Sequence, residues 1–202
     1  MSSIKLAGLT LAGVGVIGGG VGTVYALNSN TQTPKSKTIN IVTTSIRQQI
    51  TKEQRTVLDQ GATTWDIKLH VYTSVIQSQN KIVIENNNEA GLKAWCNKTL
   101  GEDFKDSNNE NYLFAKQLCT KPTNKEKLQK NSKTLIGEND SEWTKKETAY
   151  KSEGKDSYAI PNIGSQGTVT KADIKGWCET TLSKEIADSG SEYSLAEKWC
   201  TQ

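Results

Sequence analysis

Three hydrophobic patterns follow one another along the chain. Leu6 to Leu27 is a run of 22 residues without a charge, bracketed by Lys5 and by the polar stretch Asn28-Ser29-Asn30-Thr31-Gln32. As a helix it extends about 33 Å, enough to cross a bilayer core of roughly 30 Å. Residues 28 to 40 are rich in Asn, Thr, Lys and Ser, the composition of a flexible stalk. From Val57 onward apolar positions return at helical spacing. Leu92, Trp95, Cys96 and Leu100 stand at i, i+3, i+4 and i+8, and Ile174, Trp177, Cys178 and Leu182 repeat that stripe. Tyr112, Ala115 and Cys119 stand at i, i+3 and i+7, as do Tyr193, Ala196 and Cys200. Trp65, Leu69 and Tyr72, with Trp143, Glu147 and Tyr150, allow a third, shorter helix. Thr170 followed by Asp173 reads as a helix N-cap and its N3 acid. Pro161, Gly164 and Gly167 mark residues 157 to 167 as a loop. The segment Lys81 to Glu85 (KIVIE) is β-prone and predicts a short strand, so the expected class is mainly α with α+β left open.

These stripes occur twice. Leu58, Trp65, Tyr72 and Ser74 fall on Ile136, Trp143, Tyr150 and Ser152 at an offset of 78. LKAWCNKTL (92 to 100) falls on IKGWCETTL (174 to 182) at 82, and YLFAKQLCT (112 to 120) on YSLAEKWCT (193 to 201) at 81. Three blocks in one order with nearly constant gaps define a tandem duplication. The organisation expected is a signal anchor or transmembrane helix over 1–27, a stalk and linker over 28–56, one repeat over 57–120 and a second over 134–202.

Within the apolar run, Gly13, Gly15 and Gly18 spell G-x-G-x-x-G, the pattern of a dinucleotide cradle. Such a cradle needs a strand before it, a helix after it and an acid about 20 residues on. The first acid in the chain is Glu53, and seven glycines between Gly8 and Gly22 supply the spacing by chance. No cofactor is expected. In lipid a helix satisfies its own backbone, so the glycines are tolerable there. The pairs Gly15/Gly19 and Gly18/Gly22 have the small-xxx-small spacing that brings two membrane helices together, which predicts homo-oligomer contacts through this helix. Val24-Tyr25-Ala26 fits the small-residue rule of a signal peptidase site, but the run exceeds the usual 7 to 15 residues of a cleaved signal. An uncleaved single-pass anchor in the cell membrane is therefore expected, with a secreted product as the alternative.

The cysteines are Cys96, Cys119, Cys178 and Cys200, two per repeat at separations of 23 and 22. An even count beyond a membrane segment reads as a disulfide framework in an exported domain. Three pairings are open, and the duplication favours Cys96 with Cys119 and Cys178 with Cys200; buried free thiols are the rival. A zinc site would want C-x-x-C pairs or several histidines, and His70 is the one histidine in the chain. A cysteine nucleophile would want a base beside it. No metal site and no catalytic residue are assigned.

Charge is uneven. Residues 1 to 52 hold five basic and no acidic residues, a balance of +5, while residues 53 to 202 hold 20 basic and 22 acidic, a balance of −2. Lys35, Lys37, Arg47 and Lys52 thus lie near the anchor, where they solubilise a stalk or meet anionic headgroups. The slightly acidic folded part, without a basic stripe interleaved with aromatics, argues against nucleic acid as a partner.

The W-C…Y-x-x-A-x-x-x-C-T block, present twice behind an anchor that begins M-x-x-x-K-x-x-G, resembles the large paralogous families of uncharacterised proteins in haemotropic mycoplasmas. The resemblance implies a surface-exposed, membrane-anchored product of an expanded gene family, with host contact or antigenic variation as its role. It carries over no catalytic residue. It also implies a wall-less cell, whose disulfide-forming pathway need not be the usual one. The functional expectation is an interaction or antigenic module held at the bilayer through residues 6–27, facing a host-cell surface ligand, and not an enzyme. The alternatives are an exported hydrolase using carboxylates such as Glu102/Asp103 or Glu138/Asp140, and a structural envelope component.

Overall fold

Residues 43–202 are described by a computed structural model. They hold eight α-helices and no strand: α1 (Ile46–Lys52), α2 (Trp65–Val71), α3 (Glu89–Leu100), α4 (Glu110–Leu118), α5 (Asn124–Lys130), α6 (Asp140–Glu153), α7 (Lys171–Ser183) and α8 (Glu192–Cys200). The candidate membrane span, and with it Gly15, Gly18, Gly19 and Gly22, lies outside the described residues. Among those described, no helix is long and apolar enough to cross a membrane.

The local chemistry that starts these helices is legible residue by residue. Ser45 and Thr123 cap α1 and α5, and each forms a capping box with its N3 partner, Gln48 or Glu126. Thr170 and Asp173 do the same for α7, while Asn88, Asn109 and Asn139 accept backbone N–H groups at the starts of α3, α4 and α6. Each such cap is worth roughly 1 kcal/mol. α1 and α5 also end alike: Gln54 and Ser132 take left-handed φ values of 60° and 58°, and the next residue donates back to Ile50 O or Leu128 O.

Two hydrophobic cores form, one per repeat. The first gathers Ile46, Ile50, Trp65, Tyr72, Leu92, Tyr112 and Leu118 around Cys96 and Cys119. The second gathers Leu128, Trp143, Tyr150, Ile174, Leu195 and Trp199 around Cys178 and Cys200. Sulfur bonds Cys96 to Cys119 and Cys178 to Cys200, with Cα separations of 5.5 and 5.6 Å, joining α3 to the end of α4 and α7 to α8.

The same hydrogen bonds recur at equivalent positions. Trp65 Nε1 donates to Asp59 O and Trp143 Nε1 to Gly137 O, both at 2.8 Å. The hydroxyls of Tyr72 and Tyr150 accept from the buried Ile84 and Ile160 N–H groups at 3.1 and 2.9 Å. Single antiparallel bridges pair Ser45 with Asp103 and Val57 with Thr120, and again Thr123 with Glu185 and Leu135 with Thr201. The chain on either side of the first helix is thereby clamped to the chain that follows the third and fourth helices.

Three expectations change. Residues 43–56, assigned to the linker, carry α1, whose Ile46 and Ile50 are fully buried; the repeating frame opens near residue 44 and again near 122, one helix earlier than the hydrophobic stripes mark it. The helix at Trp143 to Tyr150 is not short: α6 has 14 residues, the longest described. Within the KIVIE segment residues 82–84 lie outside any helix, with Ile82 and Ile84 buried and Val83 82% exposed, but no neighbouring segment pairs with them as a strand and Glu85 already opens a 3-10 turn. Asn80, Asn86 and Asn87 at positive φ turn the chain on both sides and leave no length for a ladder.

Candidate functional site

Two surfaces organise the charged chemistry of the described residues: the seam between the repeats and a groove on the second repeat.

The seam is built around α5, which packs on α2 of the first repeat as well as on α7 and α8 of its own. Lys68 points from α2 into it and is fully buried. Its ammonium donates to Gln117 O at 2.8 Å and to Glu126 Oε2 at 2.7 Å. Burial pushes its pKa below the ordinary lysine range, and the Glu126 carboxylate opposes that shift. Around this pair lie Lys130 with Asp66, Lys121 with Asp188 at 2.6 Å, and Arg55 Nε with Glu185 Oε1 at 2.9 Å. The Arg55 Nε contact is an ion pair without hydrogen-bond geometry; the guanidinium's Nη2 makes the directed bonds, to Thr120 Oγ1 and Lys121 O. Glu185 also accepts from Thr56 N at 2.9 Å. Glu126 thus has two tasks, capping its own helix at Thr123 N and neutralising a lysine of the other repeat.

The equivalent place on the second repeat is open. Lys146 stands 78 positions after Lys68 and donates to Lys198 O at 2.8 Å, the counterpart of Gln117 O. It forms no ion pair among the described residues. Its pKa is lowered by burial first and by the Lys198 charge second.

The groove, of about 610 Å³, lies against α7 and α8. It is lined by apolar Ile163, Trp177 and Leu195 and by Asp173, Lys184 and Glu192 at its rim. Its volume is in the range of small-ligand clefts. Its charges are already engaged: Lys184 pairs with Glu192 at 2.6 Å, and hydrogen bonds from Thr170 hold the Asp173 carboxyl below its usual range.

The carboxylates considered for hydrolysis are dispersed rather than gathered. Glu102 accepts from Asn111 and Asp103 from Thr43, while Glu138 pairs with Lys175 and Asp140 with Lys171. The most perturbed carboxyl is elsewhere: Glu53, between α1 and α4, is pulled down to about 2 by hydrogen bonds from Lys116, Tyr112 and Gln49. Its role is to tie α1 to α4. With all four cysteines in disulfides, no sulfur offers a thiolate for attack or ligation.

Sequence reasoning overlooked Lys68 and Lys146, although a signal was present. Each lysine falls three residues after a core tryptophan and four before a core tyrosine, on the apolar stripe itself. No family model, curated protein or solved structure matches this chain.

Proposed function

We infer that the chain is a membrane-anchored, surface-exposed interaction module, carried by residues 6–27 and presenting residues 43–202 outside the cell. The observation that carries this reading is the disulfide placed identically in each repeat. A buried disulfide per core suits an oxidising exterior and small domains exposed to it. The surface supports recognition better than catalysis, since the two acids that line the groove are already held, Glu192 by Lys184 and Asp173 by Thr170. Two related faces on one tether would also raise avidity for a repeated ligand on a host cell.

Protease shaving of intact cells, followed by antibodies against residues 90–202, tests the location: loss of the epitopes is expected, and full protection rules the surface reading out. A binding screen of residues 40–202 against host-cell surfaces tests the role, with saturable binding expected. Hydrolysis of an offered substrate abolished by Glu102→Gln or Glu138→Gln would instead favour the exported hydrolase.

A further inference from the structure

The duplication allows one half of the molecule to be read as a template for the other. Between the repeats, the face containing α2 is covered by the first helix of the next repeat, and the central contact is Lys68 with the N3 glutamate, Glu126. On the second repeat the corresponding face is formed by α6 with the carbonyl of Lys198 on α8, and the corresponding ammonium is Lys146. Half its surroundings match the seam: the same carbonyl accepts from it at the same 2.8 Å as in Lys68. The other half, the carboxylate, is missing. Its acidic neighbours are committed elsewhere, Glu142 to Lys145 and Glu153 to Lys198.

We propose that the Lys146 face is a docking site for the first turn of a helix on another protein chain, one that opens with Ser/Thr-x-x-Glu and places the N3 glutamate against the Lys146 ammonium. The inference rests on the reading of the chain as an interaction module and names the chemistry of one partner.

The charges argue against a second copy of this chain as that occupant. Its own first helix has the matching cap, Ser45, but carries Gln48 where Glu126 stands in the second repeat. The Gln48 carbonyl oxygen caps Ser45 N as Glu126 Oε2 caps Thr123 N, but it is neutral and brings no countercharge to the incoming ammonium. Thr144 replaces Asp66, so Lys52, in the place of Lys130, would meet no acid. Asp103, the counterpart of Glu185, keeps its charge, but Lys133, in the place of Arg55, is turned to Glu197 of its own repeat. Head-to-tail copies would otherwise chain without closing, and these mismatches oppose that. A partner with glutamate at N3 meets no such obstacle.

The test supplies the missing carboxylate in a known frame. Full-length chain in detergent micelles serves as acceptor, and an isotope-labelled full-length chain carrying Gln48→Glu with Lys146→Ala serves as a donor that offers the helix but cannot accept one. Binding at least tenfold tighter than that of a Gln48→Ala, Lys146→Ala donor is expected by sedimentation. Carbodiimide should couple acceptor Lys146 to donor position 48, identified by mass mapping across the isotope label. Equal binding of the two donors, or coupling that never involves Lys146, overturns the proposal; so does unmodified chain binding as tightly as the Gln48→Glu donor, which would make a second copy the occupant. An acceptor with Lys146→Gln keeps a donor group without the charge and should lose the gain. None of these failures touches the broader module reading, which stands or falls on cell-surface binding.

Discussion

Replacing Glu126 with glutamine changes one charge at the seam and almost no volume. The amide oxygen still accepts from Thr123 N, so the cap on α5 is retained, but the Lys68 ammonium, fully buried with a carboxylate at 2.7 Å, loses its countercharge. At an effective dielectric of 20 that distance corresponds to about 6 kcal/mol of gross attraction, most of which repays desolvation. Breaking a buried pair from one side costs about 3–5 kcal/mol, and because Glu126 keeps 13% of its side chain exposed, the lower end applies, about 3 kcal/mol. The Lys68→Met, Glu126→Gln double variant removes the stranded charge and should recover most of the loss. Urea unfolding at neutral pH, followed by tryptophan fluorescence and far-UV circular dichroism, measures all three. The pH dependence has a fixed sign. The folded-state pKa of Lys68 lies below the ordinary 10.5, so its penalty is fully present below the folded value and fades as pH rises toward 10.5. The Glu126→Gln chain should therefore regain stability relative to the parent as the solution becomes alkaline. A loss under about 1 kcal/mol, or a double variant no more stable than the single, would refute the account.

Three further outcomes are expected. Removing either disulfide with paired alanines, Cys96 with Cys119 or Cys178 with Cys200, should cost about 3 kcal/mol from loop closure and lower the melting temperature by roughly 10 °C in calorimetry. Tyr150→Phe leaves the buried Ile160 N–H without its acceptor and should cost about 1–3 kcal/mol in urea unfolding, with Tyr72→Phe giving a matching loss through Ile84. Glu53, held at about 2 against an ordinary 4.5, contributes stability that is complete above pH 4.5 and is lost as pH falls through 2. At neutral pH Glu53→Gln should cost about 1 kcal/mol at this part-exposed site, and the gap between the two chains should close across that acid window in acid titrations followed by circular dichroism.

The tryptophan and cysteine stripes made α3, α4, α7 and α8 legible because each puts its apolar residues on one face, period for period. α1 and α5 were not legible that way. α1 offers the core only Ile46 and Ile50, and in α5 the first of these becomes Asn124, leaving Leu128 as the apolar residue that anchors the helix. The signal that survives in both is polar: Ser45 with Gln48, and Thr123 with Glu126, at the common offset of 78. The β-prone KIVIE segment does alternate in burial, with Ile82 and Ile84 in the core and Val83 outside. A strand also needs a partner edge, and that is supplied by the rest of the fold. The candidate surfaces were the least legible. Lys68 and Lys146 sit at equivalent positions three residues after a tryptophan, and what distinguishes them is Glu126, 58 residues from the first and on the other repeat.

The placement of the disulfides also decides how this domain would behave under load. If the chain is held at one end and gripped near the other, a pull would reach Cys96 through the start of α3 and Cys178 through the start of α7, then cross each sulfur bond and bypass the peptide between Cys96 and Cys119 and between Cys178 and Cys200, separations of 23 and 22 residues. About 75 Å of slack in each repeat is thereby withheld from stretching. Extension would be confined to the peptide outside the two sulfur-closed loops, and the helix segments between each cysteine pair would stay out of the path of the force.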